Sequence, residues 1–229
     1  RDIAPILGNQ PFLRCALDVA ANDLWGNMQN APLHQLWFDT SPSIPITNYT
    51  IGLGDITEMV EKIVAFPWPI YKIKLGGQDD RATIAAIRKT TPARLRVDAN
   101  TGWTPSNALE LIDAMAAAAV EMIEQPLPVA NDSFMPKLKN HTTIPFIADE
   151  SCQVEEDVEK CADGFDGINI KLMKCGGLTP ARRMIQKAQQ LGLQVMVGCM
   201  TESSIGIAAI APGSAAGTAQ ATFAGEEYR

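Results

Sequence analysis

The chain has 229 residues, 46% hydrophobic and 20% charged, with a formal net charge of −7. This is a globular composition, long enough for one large α/β domain or two small ones, and its acidic balance argues against nucleic acid or an anionic membrane as a partner. No apolar run approaches the roughly 20 residues of a membrane span, and the first residues lack the pattern of a signal peptide.

Five scattered cysteines (Cys15, Cys152, Cys161, Cys175 and Cys199) show no CxxC spacing. They argue against a zinc site or a disulfide framework and suit free thiols in a reducing, cytoplasmic compartment. His34 and His141, the two histidines, sit in polar contexts. Neither supplies the imidazole that a Ser-His-Asp or Cys-His hydrolase needs.

In chain order, residues 1–42 open on Arg1 rather than Met and read as a remnant or linker region. It carries one helix over 11–28, with Phe12, Cys15, Ala16, Val19 and Leu24 as the apolar stripe expected to pack beside the main domain. Residues 43–210 alternate short apolar runs with helical periodicity. Strands are expected at 44–51, 70–75, 94–98, 120–124, 144–148, 167–172 and 194–199. Helices are expected at 55–66, 79–90, 105–118, 131–140, 153–162 and 178–191, with Asp55, Thr104 and Thr179 as caps. Strand–helix repetition implies a parallel sheet with right-handed crossovers. Residues 211–229, "APGSAAGTAQATFAGEEYR", read as a linker-like tail on their small-residue composition. Only seven strands are evident, so the barrel is expected to be incomplete at this end.

The period of the units is informative. Lys74, Asp98, Glu124, Asp149 and Lys171 end successive strands, at steps of 24, 26, 25 and 22 residues. Units near 25 residues, each finishing in a functional side chain, are what a (β/α)8, TIM-like barrel produces, with its chemistry where the strands end. A doubly wound open sheet is the alternative, but no GxGxxG or GxxxxGK[ST] loop follows any strand.

Asp98, Glu124 and Asp149, in "RVDAN", "MIEQP" and "IADES", terminate consecutive strands. Adjacent parallel strands lie about 5 Å apart, so three such acids repel unless a cation sits among them. Oxygen-only ligation suits a hard ion such as Mg²⁺, one per site; the bland alternative makes each acid a helix cap or loop charge. In "YKIKLGG", Lys72 and Lys74 share one face of a strand. The expectation is that Lys72 and the metal lower the pKa of Lys74 toward that of a usable base, with Lys171 facing it from the far side of the metal. Lys174 reads either as a further cation of the site or as a loop charge. Trp103 reads either as a roof over the site or as helix packing.

These residues, in this order, resemble the enolase superfamily in its muconate lactonizing enzyme subgroup: "KIK" (72–74), "DAN" (98–100), "EQP" (124–126), "DES" (149–151) and "NIKLMKCGG" (169–177). "NYTIG" (48–52) and "VGCMTESSIG" (197–206) look most like the dipeptide epimerases within it. A lysine base paired with Mg²⁺ is a general property of that superfamily. The resemblance implies Mg²⁺ on Asp98, Glu124 and Asp149, and epimerisation of a dipeptide such as L-Ala-L-Glu through an enediolate. It implies Lys74 and Lys171 as the two bases and Lys72 beside them. Thr50, Gly198, Cys199, Met200, Thr201 and Glu202 would line the substrate pocket. The partner implied is a small molecule, and family members often form homo-oligomers. The same residues would serve an o-succinylbenzoate synthase, an N-succinylamino acid racemase or a cycloisomerase, and a truncated, non-catalytic relative is the reading of a different class. Two features implied by the resemblance are absent from the sequence: most of an α+β capping domain before the barrel, and an Asp-x-Asp motif after Ile210.

Overall fold

The computed structural model describes residues 7–8, 10–37, 46–214 and 219–221. Helix α1 (Pro11–Gln29) and the short α2 (Leu33–Trp37) precede the repeating units. These begin with β1 (Tyr49–Ile51), α3 (Ile56–Ala65), β2 (Ile70–Lys74), α4 (Asp80–Thr90), β3 (Arg94–Asp98), α5 (Ala108–Ala117) and β4 (Val120–Glu124). A 3-10 turn (Val129–Phe134) then leads into α6 (Met135–His141), β5 (Phe146–Ala148) and a second 3-10 turn (Glu155–Asp157) continuing into α7 (Val158–Cys161). The series ends with β6 (Gly167–Lys171), α8 (Leu172–Cys175), α9 (Leu178–Gln190), β7 (Gln194–Gly198), α10 (Ser204–Ser214) and β8 (Ala219–Ala221).

The eight strands among the described residues are parallel and stand in the sheet in chain order, β1 to β8. The eighth strand lies inside the stretch read as a linker-like tail: β8 pairs with β7 through Val195↔Ala219 to Val197↔Ala221, and α10 runs into the same stretch from its other end. Its three residues, "AQA", are too short and too weakly apolar to announce a strand. The rest of that tail, 215–218 and 222–229, and the 42/43 boundary lie outside the described residues.

Strand alternation divides the protein into two environments. On β2 and β3, Tyr71, Ile73, Leu95 and Val97 belong to the large apolar core shared with the helices. The alternate residues Lys72, Arg96 and Asp98 are buried polar groups facing the other way. Inside the sheet the buried apolar residues form only a small separate cluster, Met122, Ile147 and Met196. The interior is therefore polar, which in a barrel places unmatched charge where only ion pairs and hydrogen bonds can hold it.

Local signals account for the helix starts. Asp55 accepts the Thr57 N–H at 2.8 Å and Asp79 accepts the Ala82 N–H at 2.9 Å, each capping a helix that follows a strand. Thr179 is no cap: α9 starts at Leu178, and the Thr179 N–H is capped instead by Asp18 of α1 at 2.9 Å. Thr104 lies short of α5, whose first residue is Ala108. Loops after β2 and β3 press together so closely that a Cβ on Gly102 would lie 2.6 Å from the Gly76 Cα. A Cβ on Gly76 would itself lie 2.7 Å from Ala99 O, and its φ is 95°, so glycine is required there twice over.

The face of α1 differs from the expected stripe. Phe12 and Leu24 are 57% and 61% exposed, while Cys15 is buried and Val19 half-buried against the core. The helix packs against α8 and α9, and Asp18 and Asn22 both reach Thr179. Hydrogen bonds to the start of α9 thus set the rotation of α1, and its apolar residues on the other side are left outward. No described helix is long and apolar enough to cross a membrane.

Candidate active site

The strand ends converge on a cavity of about 430 Å³. Lys72, Lys74, Asp149, Asn169, Lys171 and Lys174 line it, together with Asn100 and Glu150. Of the residues expected to meet substrate, Thr50, Gly198, Cys199, Met200 and Thr201 are in its wall. Glu202 is not among the lining residues: its Oε1 accepts the Met200 N–H at 3.0 Å, and its Oε2 would lie 2.6 Å from a Cβ on Gly206.

The three acids are buried, at 0%, 0% and 1% exposure for Asp98, Glu124 and Asp149, and each is met by lysine. Lys72 Nζ bridges Asp98 Oδ2 at 2.8 Å and Glu124 Oε2 at 2.6 Å. Lys74 Nζ shares the same Asp98 oxygen at 2.8 Å and donates to Asn100 Oδ1 at 3.0 Å. Asp149 is divided between Lys171 (Oδ2, 2.7 Å) and Lys174 (Oδ1, 2.8 Å). Lys174 is thus part of the site. Trp103 is not its roof, for it is buried with its Nε1 donating to Asp80 Oδ2 at 2.7 Å. His141 pairs with Asp113 at 2.8 Å, away from the cavity.

This geometry changes the account of the paired lysines. Lys72 and Lys74 are accommodated by a shared carboxylate rather than pressed against each other. Burial alone would lower the pKa of Lys72, but Asp98 and Glu124 outweigh it and push it up. Lys171 is likewise raised: burial opposes, and Asp149 and Glu124 prevail. Among the acids, burial works against ionisation everywhere, yet the ammonium groups of Lys72 and Lys74 hold Asp98 well below the usual carboxylate range, and Lys171 and Lys174 do the same for Asp149. Glu124 goes the other way, pushed up to about 7 by burial and by Asp98, against the pull of Lys72.

Among the described residues no three acids form a metal cage as the side chains stand; each of the three is paired with lysine instead. The donor set nevertheless fits a hard divalent cation: three buried carboxylates on adjacent strand ends, all-oxygen, with the Lys72 ammonium already standing as the cation shared by Asp98 and Glu124. Asn169 was missed from the sequence as a site residue, although it lies two residues before Lys171 and so on the same face of β6. Its Nδ2 donates to Glu124 Oε1 at 2.8 Å. Gly198 is needed beside it, since a Cβ there would be 2.6 Å from Asn169 Oδ1.

Eight described parallel strands in chain order, with acids and lysines paired at their C-terminal ends, define a (β/α)-barrel domain. The chain belongs to the family described as enolase C-terminal domain-like, whose model matches residues 55–228. It is 52% identical over 200 residues to an L-Ala-D/L-amino acid epimerase of Maribacter sp. (strain HTCC2170), a match covering 87% of this chain and 59% of that protein. It is 48% identical over 209 residues to an L-Ala-D/L-amino acid epimerase of Flavobacterium johnsoniae, covering 91% of this chain and 62% of that one. The crystal structure of a dipeptide epimerase from Enterococcus faecalis V583, complexed with Mg and the dipeptide L-Leu-L-Tyr, superposes with a TM-score of 0.88 at 33% identity. That match covers 93% of this chain and 63% of the other. The chain thus spans about three fifths of the length of these relatives.

Proposed function

We propose that this chain is the barrel portion of a Mg²⁺-dependent epimerase that inverts an α-carbon of a small carboxylate substrate, a dipeptide of the L-Ala-L-Glu type. The observation that carries the reading is the placement of Lys74 at the end of β2 and Lys171 at the end of β6. These strands stand four places apart in an eight-strand order, and the lysines are bonded to two different acids on either side of Glu124. An amine on each flank of the acid cluster is what inversion of a stereocentre requires. The names and bound ligands of the relatives support the substrate class, and five cysteines outside any disulfide suit a reducing, cytoplasmic setting.

Asp98, Glu124 and Asp149 are the residues that would hold the metal. When bound, Mg²⁺ supplies a Lewis acid that draws charge from the substrate carboxylate and so acidifies the neighbouring C–H. One lysine, as the free amine, takes the α-proton from its face of the carbon. The ammonium of the other returns a proton to the opposite face, and the configuration inverts. Asp149 holds Lys171 protonated in the arrangement seen, so that lysine becomes a base once its carboxylate partner is committed to another cation. Lys72, buried and doubly paired, keeps Asp98 ionised and is itself too well held to exchange a proton.

The test is to incubate the chain with Mg²⁺ and L-Ala-L-Glu in D₂O and follow the α-proton resonances by NMR. Loss of an α-proton signal with appearance of the second diastereomer, suppressed by EDTA, is the expected result. Exchange confined to N-succinylamino acids would move the reading to a racemase. Exchange on neither substrate class would overturn it.

A further inference from the structure

The motif "EQP" contributes Glu124 to the site, but its second residue has no part in the reading above. Gln125 is fully buried, at 0% exposure, with φ of 34°, a left-handed conformation rare outside glycine. All four of its side-chain bonding positions are used. Oε1 accepts from the N–H groups of Asp149 at 2.9 Å and Ser151 at 3.1 Å, and Nε2 donates to Leu127 O at 2.9 Å and Ser151 Oγ at 2.8 Å. Backbone N–H groups only donate and a carbonyl only accepts, so the amide has a single orientation. With both lone pairs and both N–H groups committed, and no place in the cavity wall, Gln125 has nothing to offer a substrate.

What it does have is a gap to fill. The β4–β5 ladder holds only Ile123↔Phe146 and Glu124↔Ile147, and the β5–β6 ladder ends at Ala148↔Ile168. Asp149 therefore lies beyond the last paired residue on both sides, where no strand fixes its backbone. The Gln125 amide stands in for the missing rung. Its own backbone is anchored on two sides, with Gln125 N–H donating to Ile147 O at 2.9 Å and Thr101 N–H donating to Gln125 O at 2.8 Å. The residue next to Glu124 thus holds the backbone of Asp149 directly.

We propose that Gln125 is a positioning residue: it fixes Asp149 relative to Glu124, and through that spacing it sets the affinity of the acid cluster for its divalent cation. This rests on the cation-binding reading of the cluster. A residue that orients a ligand through hydrogen bonds typically changes metal affinity by about 10- to 100-fold when removed. A purely structural residue changes the melting temperature and leaves the affinity of the folded protein alone.

The experiment is calorimetric titration of Mg²⁺ into the metal-stripped full chain, for wild type, Gln125→Met, Ser151→Ala and Tyr71→Phe, with a thermal melt of each. Gln125→Met preserves length and apolar bulk but removes all four bonds, and its Kd is expected to rise about 10- to 100-fold. Ser151→Ala removes one leg of the clamp and is expected to weaken binding by a smaller factor. Tyr71→Phe deletes a buried hydroxyl bonded to Phe66 O and the Trp68 N–H, and is expected to lower the melting temperature with Kd unchanged. If Gln125→Met does not fold, Ser151→Ala carries the test alone. Wild-type affinity in a folded Gln125→Met, or in Ser151→Ala where it stands alone, overturns the positioning role while leaving the functional reading intact. A wild-type chain that takes up no Mg²⁺ overturns both.

Discussion

Asn169 Nδ2 on β6 donates to Glu124 Oε1 on β4 at 2.8 Å. The bond crosses the polar interior to a carboxyl whose pKa burial and Asp98 push up to about 7. In the unfolded chain the same group titrates near 4.5. Between these values the folded state binds the proton and the unfolded state does not, so stability falls as pH rises from about 4.5 to about 7. The difference is worth at most about 3 kcal/mol. Burial also raises Glu150 and Glu202, with the same sign. Asp98 and Asp149 are lowered, and they act only below the usual carboxylate range. Thermal melts in EDTA should therefore show a lower melting temperature at pH 7 than at pH 5. Glu124→Gln should remove most of that slope, and an equally steep slope in the variant would show that another group is responsible.

Lys74 and Lys171 make separable contributions if each serves one face of the α-carbon. Lys74→Ala and Lys171→Ala should each lower epimerisation by about 10²- to 10⁴-fold, the usual worth of a general acid or base. Each should still exchange the α-proton of one diastereomer with D₂O, and the two variants should retain opposite diastereomers. NMR of the separate L,L and L,D dipeptides in D₂O reads this directly. Retention of the same diastereomer by both variants would exclude a two-base arrangement.

Tyr71 faces the helices rather than the cavity, and its hydroxyl closes the loop before β2. The Oη donates to Phe66 O at 2.7 Å and accepts the Trp68 N–H at 2.8 Å. Deleting it leaves a part-buried carbonyl and amide without that partner, at a cost of about 0.5–1.5 kcal/mol per bond. For a chain of this length each kcal/mol lowers Tm by about 2–4 °C. Tyr71→Phe should show that drop in calorimetry with kcat and KM unchanged, because the bonds lie before β2 and not at its C-terminal end.

The parts of the molecule that repeat were legible in the sequence. β3 and β4 fall at Arg94–Asp98 and Val120–Glu124, where short segments with buried apolar residues end in an acid. The acids were legible for the same reason: a carboxylate after a buried run has few structural excuses. What could not be read was partner choice. That Lys72 bridges Asp98 and Glu124 depends on side chains brought together from three strands, and sequence distance carries no trace of it. Asn169 and Gln125 are neutral amides with no charge signal. β8 has no apolar run to mark it, and the stripe on α1 was misplaced because hydrogen bonds that Asp18 accepts from and Asn22 donates to Thr179, more than 150 residues away in the chain, fix the helix rotation.

Thiol chemistry offers a last check on the cavity. Cys15 and Cys175 are buried, and burial pushes their thiols up to about 11 and about 12. At pH 8 each therefore carries a thiolate fraction on the order of one in a thousand or less, and the thiolate is the reactive form. Hydrogen bonding to Cys161, together with burial, raises Cys152 as well, and Cys161 is itself only 2% exposed. Cys199 differs in being half-buried and in the wall of the cavity. Iodoacetamide at pH 8 should accordingly modify the folded chain at Cys199 first, leaving Cys15, Cys152, Cys161 and Cys175 largely intact by peptide mass mapping. An added dipeptide substrate should slow that reaction by covering the thiol. Labelling of Cys199 at a rate indifferent to dipeptide would place the substrate elsewhere than against β7.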